Sequence, residues 1–316
     1  MEKPMDNWLI LSLYWLNFAL MTENTKPNNQ ELIAMISLLD DEDETVYESL
    51  LSHFLEIGKP AIPLLEEKWS QSLDALLQTR IENIVHKIQF EAVKTELTNW
   101  KEHNQKNLLT GLIAIARYQY PDLDEDSINV FFSEVRRRVW DDLQPNDTPL
   151  EQVRILNQVL FVEFGFNGNT ANFHSPQNSF INTVIESKRG NPILLSVIYA
   201  IVAQDLDIPV YGVNLPEHFV LCYQTLHKDK FAEYAFPEDN ILFFINAFSR
   251  GSVFGKDEID LYLRKLKLPS DKKFITPCSN TDIIRRILHN LNFSFNKSGL
   301  TEKSEEIEIL LALLEK

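Results

Sequence analysis

The spacing of apolar positions divides the chain into stretches of different period. From residue 29 to about 98 the period is helical. In "ELIAMISLLDDEDETVYESLLSHFLEIGKPAIPLLEEKW", Leu32, Ile33, Ile36, Leu38 and Leu39 recur at helical spacing. "DDEDE" interrupts the pattern and supplies a cap for a second helix. Gly58 is a C-cap candidate, and Pro60 and Pro63 stand where a third helix can start. Helix, acidic turn, helix and then "GKPAIPLL" have the form of one HEAT-type helical repeat, a unit that needs neighbours to bury its face.

Residues 107–163 continue helical. "DTPLEQVRILNQVLFVEFGF" opens with Thr148 at the N-cap, Pro149 at N1 and Glu151 at N3, a capping box with proline where its missing N–H costs nothing. "GFNGN" ends that helix, and "TANFHSPQNSF" reads as an ordered loop with aromatic anchors. "NSFINTVIESKRG" places Phe180, Ile181, Val184 and Ile185 on one helical face and is expected to stop at Gly190.

The pattern then changes. Between Ile193 and Ala203 the only polar side chain besides the Tyr199 hydroxyl is Ser196. A helix apolar all round is buried on every side, so Pro192 to about Leu206 is expected to form a central helix. "IPVYGVNL", "HFVLCYQT" and "NILFFINAF" read as strands, rich in β-branched and aromatic residues. "DKFAEYAFPED" between them offers a short extra strand or a turn. The chain closes with the helix "KDEIDLYLRKL" and then the pair "NTDIIRRILHNLNFSFNKSG" and "LTEKSEEIEILLALLEK". That pair has the length and the glycine-containing turn of a tetratricopeptide-type hairpin.

Composition narrows the function classes. The 316 residues are 44% hydrophobic and 24% charged, ordinary for a globular protein with a large core. Nine glycines argue against a turn-rich barrel or sandwich. A net charge of −16 argues against nucleic acid or an anionic membrane surface as partner. Arg136, Arg137 and Arg138 lie in "FFSEVRRRVWDDL" among acidic residues and read as the solvated face of a helix. Cys222 and Cys278 cannot make a disulfide framework and fit a reducing, cytoplasmic setting. With no CxxC, HExxH, Walker loop, GxGxxG or GxSxG, neither a metal nor a cofactor is expected.

"WLILSLYWLNFALM", residues 8–21, is apolar for about 14 residues, short of the ~20 that span a bilayer. "MEKPMDN" before it lacks the positive charge of a signal peptide. The readings are a native start at Met21, a helix packed on the protein, or a membrane-associated segment. A membrane partner is expected only if that segment is native and exposed.

"ILNQVLFVEFGFNGN", "QNSFINTVIESKRGNPILLSVIYAIVAQDLDIPVYGVNLPEHFVL" and "FFINAFSRG" resemble the SirB-type branch of the transglutaminase-like superfamily. The resemblance runs from about residue 110 to the C-terminus. Its "RGNP" loop, "LPEHF" and "INAF-x-x-G" fall in the family's order and spacing. It implies an α+β, mostly helical protein: a papain-like core of one buried helix packed on a small antiparallel sheet, with flanking helical regions. The expected domains are an apolar segment at 1–20, a HEAT-like region at 21–104, the core at 105–270 and a tetratricopeptide-like hairpin at 271–316.

In active members of that superfamily, a cysteine at the helix start, a histidine on the second strand and an aspartate on the third form a triad. A helix N-terminus and an imidazole stabilise a thiolate, and a third group orients the imidazole. The resemblance places these positions at Pro192, His218 and Asn246. Asparagine can orient a histidine, but proline cannot replace a thiolate, and the SirB-type branch generally lacks the cysteine.

Two other side chains have nucleophilic chemistry. Cys222, four residues beyond His218 on one strand, would lie about 13 Å away and reads as a core thiol. Ser196, one turn into the helix, reads as a small residue permitting close helix–sheet packing, with a nucleophilic role as the alternative. His218 reads as a structural histidine bonded to a backbone carbonyl, with ligand binding or catalysis as alternatives. Lys188 and Arg189 either hold an anion at the helix start or cap the preceding helix. Asn178 and Asn191 read as loop-fixing hydrogen bonders.

Two functions follow. One is a catalytically silent scaffold that binds a protein or peptide, with Lys188, Arg189, Asn191 and His218 as binding candidates. The other is a non-cysteine hydrolase or transferase acting on an amide-type bond at the His218 cleft. A solvent-reachable pocket containing both His218 and Ser196 would favour the second.

Overall fold

The computed structural model of the chain describes residues 29–225, 240–269 and 271–315. The segment 1–20 and the stretch 229–239, expected as strand or turn, lie outside them. The chain divides into two units between Ala92 and Val93.

The first unit contains α1 (Asn29–Ile36), α2 (Glu44–Ile57), α3 (Ile62–Gln71) and the first part of α4 (Ala75–His103). The Asp43 carboxylate accepts the Thr45 N–H at 2.9 Å and caps α2. Gly58 ends it at φ +72°, its N–H donating to the Phe54 carbonyl. Leu32, Ile36, Phe54, Leu65, Ile81 and Ile84 form the core. The acidic turn is organised by a buried cation. Arg80 donates to the carbonyls of Leu39 and Asp41 and to Glu44, and lies 4.8 Å from the Tyr47 ring centre.

In the second unit α5 (Leu108–Gln119), α6 (Glu125–Asp142) and α7 (Pro149–Asn157) follow, and α7 runs into a π-helical turn at Gln158–Glu163. The capping box forms as its spacing predicts: Thr148 accepts from the Glu151 N–H, and Glu151 accepts from the Thr148 N–H at 2.8 Å. The three consecutive arginines carry ion pairs, to Asp205 from Arg136, to Asp141 from Arg137, and to Asp142 and Glu163 from Arg138.

A two-residue parallel ladder joins β1 (Asn167–Gly168) to β2 (Arg189–Gly190). Between them α8 (Ile181–Ser187) is shorter than expected. Lys188 turns left-handed at φ +58°, and the ladder draws residues 189 and 190 out of the helix before Gly190 is reached. The ladder reflects long-range pairing, which helical spacing cannot foresee.

Next comes α9 (Pro192–Gln204), with every residue from Ile193 to Ala203 buried, as the unbroken apolar run requires. Strands β3 (Val210–Asn214), β4 (Phe219–Gln224), β5 (Ile241–Asn246) and β6 (Ser252–Phe254) form an antiparallel sheet in chain order. α9 packs against β3 and β4. Val213, Val220, Cys222 and Phe244 share the other face and pack against Ile259 and Leu263 of α10 (Lys256–Lys265). The wholly buried Cys222 is a core thiol.

The hairpin of α11 (Asn280–Lys297) and α12 (Thr301–Glu315) closes the chain, with α11 against α5 and α9. The Cys278 N–H donates to the Gly212 carbonyl at 2.9 Å, so residues before α11 cover part of the β3 edge. The fold is α+β and mostly helical, a central helix on a small antiparallel sheet. Among the described residues no helix is long and apolar enough to cross a membrane.

Candidate functional site

A cavity of about 590 Å³ opens at the first turn of α9. Asn191, Pro192 and Ile193 form its floor, Phe173 and His174 one side, Glu217 and Phe219 another, and Arg286, Asn290 and Phe293 the α11 side. Each wall has a local cause.

Asn191 is buried, and both ends of its amide are engaged. Its Oδ1 accepts the Leu194 N–H at 2.9 Å and its Nδ2 donates to Ser179 Oγ at 3.0 Å. It therefore caps α9 and ties it to the preceding loop. That loop is fixed from within: Asn178 donates to the Asn172 and Phe173 carbonyls and accepts from Asn169. Both asparagines fix loops, as the sequence suggests. The aromatic loop residues divide. Phe180 is buried in the core, whereas Phe173 is 45% exposed at the cavity rim. The His174 ring lies between those of Phe173 and Phe293, at 5.2 and 5.4 Å between centres.

Pro192 opens α9 at N1 and lines the cavity. Ser196, one turn further, is completely buried; its hydroxyl has no hydrogen-bond partner and does not line the cavity. Its small size suits the close packing of α9 on the sheet.

His218 is placed differently from the sequence expectation. Side chains alternate along a strand, so carrying the alternation of β4 back one residue groups His218 with Val220 and Cys222, on the sheet face turned to α10. The ring contacts agree: His218 lies 5.0 Å from Tyr262 of α10. The imidazole is exposed and, among the described residues, bonds no backbone carbonyl. Phe219, pointing to the opposite face, takes the place beside Pro192 in the cavity wall. Asn246 accepts the Ser249 N–H at 3.2 Å and caps the turn after β5. Its side chain is thus committed to local backbone. The structure does not join Pro192, His218 and Asn246 by hydrogen bonds, and neither His218 nor Ser196 lines the cavity.

The basic pair before α9 also parts. The Lys188 ammonium lies over the rings of Phe131 and Phe166, at 4.5 and 4.9 Å, with Phe164 at 5.9 Å. Burial among these rings pulls its amine below the ordinary value, with Glu134 opposing. Arg189 is exposed in β2. Neither lines the cavity.

The cation that does line the cavity is Arg286, in the first helix of the pair whose sequence has the form of a tetratricopeptide-type hairpin. Its Nη1 donates to Asn214 Oδ1 at 3.2 Å. Burial holds the guanidinium below its ordinary value, with Tyr262 opposing. A signal was present: Ile283, Ile287, Leu291 and Phe295 are buried, while Arg286, Asn290 and Phe293 run at i, i+4 and i+7 along another face.

Glu217 borders the cavity at φ +61°, a left-handed conformation costly for a non-glycine residue. The turn is braced by the Tyr262 hydroxyl, which donates to the Pro216 carbonyl at 2.7 Å.

Comparison with known proteins agrees with this architecture. The family model described as the transglutaminase-like superfamily matches residues 126–289, more than half of the chain. A UPF0162 protein of Xylella fastidiosa (strain 9a5c) is 28% identical over 191 residues, covering 58% of this chain and 63% of that protein. A UPF0162 protein of Pasteurella multocida is 31% identical over 70 residues, 22% of this chain and 26% of that one. F-box only protein 21 of Mus musculus is 35% identical over 66 residues, 21% of this chain and 10% of its own. The chain thus spans less than two thirds of the length of the Xylella relative. No solved structure matches it. With a matched segment that begins in α6, takes in α9 and the whole sheet, and ends in α11, the chain belongs to the transglutaminase-like superfamily.

Proposed function

We propose that this protein is a catalytically silent transglutaminase-like scaffold that binds a protein or peptide segment in the cavity at the start of α9. One observation carries the reading. Where active superfamily members place a thiol, the cavity floor holds Pro192, and its walls bring Phe173, Phe219, Phe293 and Arg286, with neither His218 nor Asn246 among the lining residues. Concave sites with apolar walls and a few polar groups are ligand sites by default. The hydrolase alternative finds no support in a Ser196 hydroxyl sealed from solvent and a His218 ring turned toward α10.

The wider assignment belongs to the same proposal. The "RGNP", "LPEHF" and "INAF-x-x-G" segments support the SirB-type branch. The α1–α3 arrangement supports a HEAT-like region and the α11–α12 hairpin a tetratricopeptide-like one. Two free cysteines support a cytoplasmic setting.

The test pairs binding with turnover. Random peptides displayed on phage should enrich on the purified chain, and the enriched peptides should lose binding to Phe293→Ala. The same protein should not hydrolyse or transamidate peptide and glutamine substrates. Turnover abolished by Ser196→Ala, without enrichment, would favour the hydrolase.

A further inference from the structure

We propose that the cavity selects a carboxylate on its ligand, held by Arg286, with an apolar side chain beside it against Phe173 and Phe293. This rests on the peptide-binding reading and gives it a chemistry.

Charge accounting sets Arg286 apart. The chain carries 46 acidic residues against 30 basic ones, and other partly buried arginines find carboxylates among them. Arg117 pairs with Glu96 and Glu125 at 2.9 and 2.7 Å, and Arg138 with Asp142 and Glu163. Arg286 makes no ion pair among the described residues. Its one side-chain acceptor there is the neutral Asn214, so most of its N–H donors remain for another group. A half-buried cation with no carboxylate in direct contact is costly; Glu217 lines the same cavity but makes no ion pair with Arg286, and an anion bound against the guanidinium would lower that cost. The first turn of α9, which lines the same cavity, adds the positive end of a helix dipole.

The walls favour a carboxylate over a phosphate. A guanidinium grips either anion in a two-bonded fork, so charge decides between them. A dianion would bring a second charge toward Glu217, which lines the same cavity. Phe173 and Phe293 are 45% and 56% exposed. Rings left open at a cavity rim are apolar area that a neighbouring side chain can cover. A polypeptide supplies both groups, from an acidic side chain or from its C-terminus next to an aromatic residue.

Saturation-transfer NMR on the full chain tests this with acetyl-Phe-Asp amide, acetyl-Phe-Gly with a free carboxylate and acetyl-Phe-Asn amide, and phosphorus-31 line broadening tests inorganic phosphate. At least one carboxylate peptide should bind about tenfold more tightly than the asparagine peptide, and the tighter one identifies the carboxylate's source. Arg286→Gln should erase that difference while residual binding of the asparagine peptide persists. Asn290→Asp, a milder change, should weaken only the carboxylate peptides. Binding of both carboxylate peptides no tighter than that of the asparagine peptide overturns the carboxylate claim and leaves peptide binding standing. Arg286-dependent binding of phosphate with no peptide bound overturns both.

Discussion

Gly251, the glycine of "INAF-x-x-G", offers a quantitative test of how the sheet is tied to the π-helical turn. Its backbone stands at φ +74°. A Cβ there would lie 1.8 Å from Asn157 Oδ1 and 2.3 Å from its Cγ, so the whole amide would have to swing aside. That movement breaks the hydrogen bond from Asn157 Nδ2 to the Gly251 carbonyl, 2.9 Å long. The left-handed backbone costs alanine about 1–2 kcal/mol, and the lost bond about 1 kcal/mol more. With the displaced amide, Gly251→Ala should destabilise by about 3 kcal/mol. Gly299→Ala in the same unit is the control, because it shares φ +74° but meets no atom within 4 Å. Only the conformational cost of about 1–2 kcal/mol applies there. Urea unfolding followed by circular dichroism and tryptophan fluorescence reads both. At a slope of about 3 kcal/mol per molar, the midpoint of this unit should fall by about 1 M for Gly251→Ala and about half that for Gly299→Ala. Adding Asn157→Ala to Gly251→Ala should give a loss about 1 kcal/mol smaller than the sum of the single losses. Equal midpoints for the two glycine variants, with strict additivity in the double variant, would refute the account.

Asn191→Ala removes both the α9 cap and the buried bond to Ser179; a loss of about 2 kcal/mol is expected, read as a melting temperature lower by about 4–8 °C. Two of the raised acids bear on alkaline stability in an accessible range: burial pushes Tyr223 up to about 12, and burial together with Asp282 pushes Cys278 up to about 12. Both unfolded-state values are lower, so their contribution is complete below about pH 9 and is lost as pH rises toward 12. Tyr223→Phe should flatten the stability–pH curve between pH 10 and 12, and an unchanged slope would exclude Tyr223 as a contributor. Pro192→Cys places a thiol at the helix start in the cavity that Arg286 lines. The pH midpoint of its alkylation should fall below ~8.5, rise with Arg286→Gln, and ignore His218→Ala; dependence on His218 would mean that the ring reaches the cavity.

Much of the fold was legible in the chain because its determinants are local. The period of apolar residues delimits α2 and α11, the all-apolar run makes α9 the central helix, and Thr148, Pro149 and Glu151 mark the start of α7 without reference to any distant residue. The strands β3–β5 were equally plain in their β-branched and aromatic content. The resemblance alone set Pro192 at the position where active members of the superfamily carry their nucleophile.

Tertiary structure decided what depends on pairing and on which surfaces meet. In a strand, a shift of one position exchanges the two faces. Motif spacing could therefore bring His218 to the edge of β4 but could not tell whether it faced α9 or α10. The register puts Phe219 at the cavity and His218 against Tyr262. The β1–β2 ladder, with residues some 20 positions apart, ended α8 early, and three phenylalanines from α6 and the segment after the π-helical turn captured Lys188. Arg286 and Phe293 lie about 100 residues beyond Pro192 in sequence, and only the packing of α11 beside α9 makes them walls of one cavity. Local propensity and periodicity act within a few residues. The site is assembled from segments far apart in the chain, so its chemistry appears only once those segments have packed.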